Sequence, residues 1–150
     1  MKAKHLILLA LPMLLAALTI LSCAEEKDEY ARPEFGDLTQ QPNPAKAGEN
    51  VTLTFGHKRK GNGIAGVTYT WTIRNLWTDE ETGDKKDSVL SVHTNYDGYD
   101  KKDPTLTFKV PEDATAGSYS VDMTADFQCY IDNVLFDRLP SPVRGRLTIK

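Results

Sequence analysis

Side chains able to do chemistry are few and scattered along this chain. Beyond His5 it has only His57 and His93. Neither falls in a metal-ligand spacing or beside a G-x-S-x-G serine, so both are expected at the surface or at an interface. Gly61-Asn62-Gly63-Ile64-Ala65-Gly66 fits G-x-G-x-x-G, but pyrophosphate binding needs a helix to begin there. The next five residues, Val67-Thr68-Tyr69-Thr70-Trp71, are β-branched and aromatic at period two. The glycines therefore predict a hairpin loop. Lys58, Arg59 and Lys60 make it locally basic, either a solvated rim or a dock for a small anion or acidic glycan. Asp97 and Asp100, with Asp103 nearby, gather oxygens that suit Ca2+, yet without the ordered ligand spacing of an EF-hand. No metal ligand set is assigned to them. No carboxylate pair is placed for glycoside hydrolysis, and the chain is expected not to be an enzyme. Trp77, Tyr96 and Tyr99, beside Asp97 and Asp100, are the residues expected to bind a ligand, since flat rings next to carboxylates suit sugar or protein recognition. Trp77 has a second reading, in which it continues the parity of Trp71 and caps the core.

The elements that must position these groups are strands. Val51, Leu53 and Phe55 alternate with Thr52 and Thr54, and Val67, Tyr69, Trp71 and Ile73 alternate with Thr68, Thr70 and Thr72. Alternation at period two buries one face of a strand. Ser88–Thr94, Leu106–Val110, Tyr119–Ile131, Val134–Asp137 and Leu147–Ile149 obey the same rule, with Asp132-Asn133 as a tight turn and Pro140 and Pro142 breaking the chain before the last strand. Tyr30 to Gly48, with Pro33, Pro42 and Pro44, reads as an extended lead-in or edge strand. No window carries helical spacing, so the fold class is all-β, two antiparallel sheets in a sandwich.

The N-terminus is different in kind. Lys2 and Lys4 precede an uncharged run from Leu6 to Leu21, with Ser22-Cys23 directly after it. That is the order of an export signal, and the run is shorter than the ~20 residues that span a bilayer. All 21 acidic residues lie after position 22, where 16 Lys and Arg remain, so that part carries −5. A body of this charge is expected to bind no nucleic acid. Ile20-Leu21-Ser22-Cys23 resembles the lipobox of bacterial lipoproteins, which implies that residues 1–22 are removed and that Cys23 carries covalent lipid as a membrane anchor. Several acyl chains make such an anchor durable where one is marginal. Ala24-Glu25-Glu26-Lys27-Asp28-Glu29 then extends the tether, taken as residues 23–36, and is similar to the surface-export tag of Bacteroidetes lipoproteins. The resemblance implies an outer-membrane protein facing the cell exterior, with the periplasmic face as the alternative. With Cys23 lipidated, Cys129 has no partner in the chain and is expected to be buried in a strand without a disulfide. Asp87-Ser88-Val89 resembles the O-glycan acceptor motif of the same bacteria, with Ser88 as acceptor.

Residues 37–150 resemble an immunoglobulin-like or PKD-like sandwich. The likeness rests on Trp71 in a central strand and on Gly117-Ser118-Tyr119-Ser120-Val121 opening the longest one, where a tyrosine corner would sit. Val121 replaces the usual cysteine. The implied function is a non-enzymatic binding or accessory module at the envelope, recognising a protein or glycan. The alternative is a structural or adhesion subunit that joins its partner by strand addition. No cofactor is expected apart from the lipid.

Overall fold

The structure is a computed structural model that describes residues 30–95, 102–129 and 136–150. Among these residues there is no helix, and eight strands form two antiparallel sheets. The first sheet has the order β1-β2-β5, made of Glu34–Gln41, Asn50–Arg59 and Thr105–Lys109. The second has the order β4-β3-β6-β7, made of Lys85–Asn95, Ile64–Thr78, Gly117–Cys129 and Phe136–Arg138. β8, Val143–Ile149, also pairs with β6. β7 lies along residues 126–128 of β6 and β8 along residues 117–123. They act as one strand interrupted at Pro140 and Pro142, where proline withholds the amide hydrogen that pairing needs.

Both sheets turn one face to a common core. Val51, Leu53 and Phe55 of β2 meet Val67, Tyr69, Trp71 and Ile73 of β3 and Val121, Met123, Ala125 and Phe127 of β6, all buried. Phe55 stacks on Trp71 with ring centroids 5.4 Å apart. Cys129 is a free, buried thiol at the end of β6, and burial pushes its pKa up.

The parity expected of β3 fails after Ile73. Asn75 adopts φ 55°, the pairing with β4 shifts register between Ile73 and Trp77, and Leu76 becomes the buried residue. Asparagine tolerates the left-handed region better than other side-chain-bearing residues. Asp87 of β4 accepts the Asn75 backbone N–H at 3.0 Å and so holds the bulge in place.

The two sides of the assembly are closed differently. On the β1 side, Gln40 uses its side-chain amide as a peptide group would. Its Nε2 donates to Thr148 O and its Oε1 accepts from Thr148 N, both at 2.8 Å. Gly145 of β8 lies so near β1 that a Cβ there would stand 2.5 Å from Leu38 Cβ. On the other side, β4 is an edge strand of eleven residues with no proline and Val89 62% exposed.

Candidate functional site

The chain enters the fold earlier than Asp37, and that entry builds one wall of a groove. Ala31 exchanges backbone hydrogen bonds with Asn62 at 3.1 and 2.8 Å. Gly61 has φ 73°, and a Cβ there would meet Ala31 O at 2.5 Å, so glycine permits the contact. This is the role of the glycine loop: a turn into β3 that grips residues 31–33. Two side chains then close on Asp137 of β7, more than a hundred residues away. Arg32 donates to both carboxylate oxygens, from Nε at 2.7 Å and Nη2 at 2.8 Å, and the Tyr30 hydroxyl donates to the same group. Asp137 is 17% exposed, and the Arg32 guanidinium holds its pKa down at about 2. Burial, then the Asp137 carboxylate, pushes the Tyr30 phenol up.

Beside this clasp lies a groove of about 460 Å³ between the start of β1, the end of β2 and the segment from β7 to β8. Pro33, Phe35, Leu139, Pro140 and Val143 supply its apolar surface, and Arg32, Lys58 and Arg59 its cations. Arg59 is paired with Glu34, and Arg32 with Asp137. Lys58 lies along the backbone at Gly36, with its Cγ and Cε each 3.6 Å from where a Cβ would stand. Among the described residues its ammonium has no acidic partner. The groove thus combines apolar contact area with an uncompensated positive charge, at a volume within the usual range of ligand sites. Phe35 also packs on His57, ring centroids 4.9 Å apart.

His57 departs from the expectation of a surface histidine, since its side chain is only 1% exposed. Its Nδ1 lies 2.7 Å from Asp103 Oδ1, which also accepts the His57 backbone N–H at 3.0 Å. Burial works to raise the Asp103 pKa, but the two hydrogen bonds from His57 outweigh it and lower the value. Asp103 is therefore spent on β2. Asp97, Asp100, Tyr96 and Tyr99 lie outside the described residues, as do Cys23 and the whole of 1–29. The turn expected at Asp132-Asn133 does too. Among the described residues no group of three or more His, Cys, Asp or Glu is placed to hold a metal.

Trp77 is half-buried, tilted against Phe108 of the opposite sheet at 5.5 Å. It packs against the core and also borders a hollow of about 330 Å³ with Asp79, Glu80, Glu81 and Lys86. Asp79 is committed to its own turn, accepting the amides of Thr82 at 3.1 Å and Glu81 at 3.0 Å and an ion pair from Lys86 at 3.2 Å. Those contacts, the Thr82 amide first, lower its pKa. Ser88 is half-buried in β4, and the aspartate before it serves the Asn75 bulge and pairs with Arg74 at 3.3 Å. Arg32, Phe35, Leu139, Phe136 and Asp137 carry no signal in the sequence, because what joins them is contact across the fold and no local spacing.

No protein-family model matches the sequence, and no curated protein is significantly similar to it. Two solved structures are weakly similar to this chain. The alkylpurine DNA glycosylase AlkC of Pseudomonas fluorescens, solved on DNA containing an abasic-site analogue, is 12% identical with a TM-score of 0.47, over 80% of this chain and 31% of that one. The sporulation control protein Spo0M of Bacillus subtilis is 14% identical with a TM-score of 0.36, over 81% of this chain and 50% of that one. This chain thus spans about a third and a half of their lengths. The first of these is an enzyme, and the expectation of a non-enzyme is withdrawn on that finding. At these scores the likeness gives this chain no activity of its own.

Proposed function

We propose that this chain is an exported lipoprotein, lipidated on Cys23 and held at the outer membrane facing the cell exterior, whose immunoglobulin-like domain recognises an acidic partner in the Lys58 groove. Two features support the immunoglobulin-like reading. The Tyr119 hydroxyl donates to Thr115 O at 2.7 Å, which is the contact of a tyrosine corner. Trp71 packs between the sheets against Phe55. The recognition reading is carried by one observation, the apolar groove whose Lys58 ammonium has no acidic partner among the described residues. A carboxylate or sulfate seated there would gain a charge-assisted hydrogen bond, while an adjoining apolar group covers Phe35 and Leu139. Cys23 lies seven residues before Tyr30. Even fully extended, that link reaches no more than ~25 Å, so the partner meets the domain close to the membrane.

Growth with labelled fatty acid tests the anchor: the label enters the protein and is lost in Cys23→Ser. Titration with acidic oligosaccharides and acidic peptides tests the groove. Saturable binding that disappears in Lys58→Glu supports it, whereas binding unaffected by Lys58→Glu contradicts it. A second reading, strand addition to a partner, is favoured by the open β4 edge with its exposed Val89.

A further inference from the structure

We infer that the outer face of the second sheet carries a subsite for a neutral sugar ring, centred on Gly66 and Phe136. It is separate from the Lys58 groove. Phe136 is 76% exposed at the start of β7. Beside it the face of the sheet is notched, about 100 Å³, between Gly66, Thr68, His93, Asp126 and Gln128. Gly66 is buried at the floor of the notch, where His93 and Gln128 close over the backbone. A Cβ there would stand 3.3 Å from His93 Cε1, 3.5 Å from Gln128 Oε1 and 3.6 Å from His93 Nε2.

Gly66 is no turn glycine, since it lies within β3 and has no positive φ. Glycine weakens a strand interior, and its presence there often marks a place where another group approaches the backbone closely. A second irregularity coincides with it: the β3–β6 register shifts between Ile64 and Gly66, so that Gly66 faces Gln128. Bulges of this kind re-aim side chains and are enriched beside sites.

The polar groups around the notch suit hydroxyls. Arg138 makes a bidentate ion pair with Asp126, one bond at 3.2 Å, which leaves carboxylate lone pairs for further donors while cancelling the charge. His93 Nδ1 is engaged with Thr68 Oγ1 at 3.0 Å, and its Nε2 faces the notch. The Gln128 carboxamide offers both a donor and an acceptor. A second hollow, lined by Phe136 with Asp126, Asp137 and Arg138, adjoins the ring. An exposed aromatic face beside compensated polar groups matches a pyranose: its C–H face lies on Phe136 and its hydroxyls reach Asp126, His93 and Gln128. An acidic sugar gains nothing extra here, because the local charges are already paired.

The test is a titration of the full-length lipidated protein in detergent micelles with a panel of neutral mono- and disaccharides, read by saturation-transfer NMR and by the amide signals of Gly66, Gln128 and Phe136. The expected result is saturable shifts at those amides at millimolar sugar. Gly66→Val presses its Cβ on the His93 ring, 3.3 Å away, displaces that ring from the notch and weakens binding at least tenfold, and so does Phe136→Ala, whose ring is exposed and whose loss leaves the melting temperature unchanged. Lys58→Ala leaves sugar binding intact, which separates this site from the groove. The inference is overturned if no neutral sugar gives a saturable shift, if binding persists in both variants, or if Lys58→Ala abolishes it.

Discussion

The two lateral sides of the domain solve the same problem in opposite ways. An edge strand offers unpaired amides and carbonyls that invite another chain. On the β1–β8 side the offer is withdrawn: Gln40 satisfies the Thr148 backbone with its own side chain, Ala45 forms a bridge with Ile149, and Gly145 lets Leu38 lie against β8. Tyr30 and Arg32 add a clasp on Asp137. On the β4 side none of these devices is present among the described residues, and the charges Lys85, Lys86 and Asp87 stand together at one end. Stability is therefore concentrated on the sealed side, and changes there should be far more costly than changes on the open one.

Gly145→Val is the costliest change on the sealed side. Its Cβ would fall within 2.5 Å of Leu38, which cannot retreat without moving β1. A loss of about 3 kcal/mol is expected, read as a lower urea midpoint, in line with overpacked cores. Gln40→Ala comes next. It removes three hydrogen bonds, two with the Thr148 backbone at 2.8 Å and one to Pro42 O at 2.9 Å, and leaves the Thr148 amide and carbonyl to water, for about 1–2 kcal/mol.

Acid should act on the clasp. The Asp137 pKa is lowered to about 2 in the folded state. Its contribution is thus complete above the ordinary carboxylate range near pH 4 and fades as pH falls toward 2. Because Arg32 is partly exposed, the amount is about 1 kcal/mol after screening by solvent. The difference in unfolding free energy between the native chain and Asp137→Asn should shrink by that amount between pH 5 and pH 2. A constant difference would show that the clasp contributes nothing. The smallest effect belongs to the open side. Val89→Lys places a charge on an exposed edge position and should change stability by no more than about 0.5 kcal/mol. The melting temperature checks it.

The alternation of Val51, Leu53 and Phe55, and of Val67 to Ile73, is enough to read β2, most of β3 and the all-β class, because burial of one face imposes period two. The bulge at Asn75 is not legible in that pattern. Leu76 breaking the parity beside an asparagine is its only trace. The site is less legible still. Lys58 and Arg59 stand out as a basic cluster, but their neighbours Phe35 and Leu139, and the Asp137 that holds Arg32, are brought to them by the return of β7 and β8 across the fold. His57 reads as polar in sequence, and only the packing of Phe35 and the carboxylate of Asp103 explain its burial. Phe136 belongs to a strand of three residues, too short for any periodicity to reveal.

The sealed side also carries the groove proposed for recognition, on the half of the molecule that is most tightly built. Photo-crosslinking on intact cells tests this most directly, with benzoylphenylalanine placed in one strain at position 141, an exposed rim position of the groove that leaves Lys58 in place, and in another at position 89. A discrete adduct is expected from position 141 and none from position 89. Adducts from position 89 alone would contradict it and give the function to the open β4 edge.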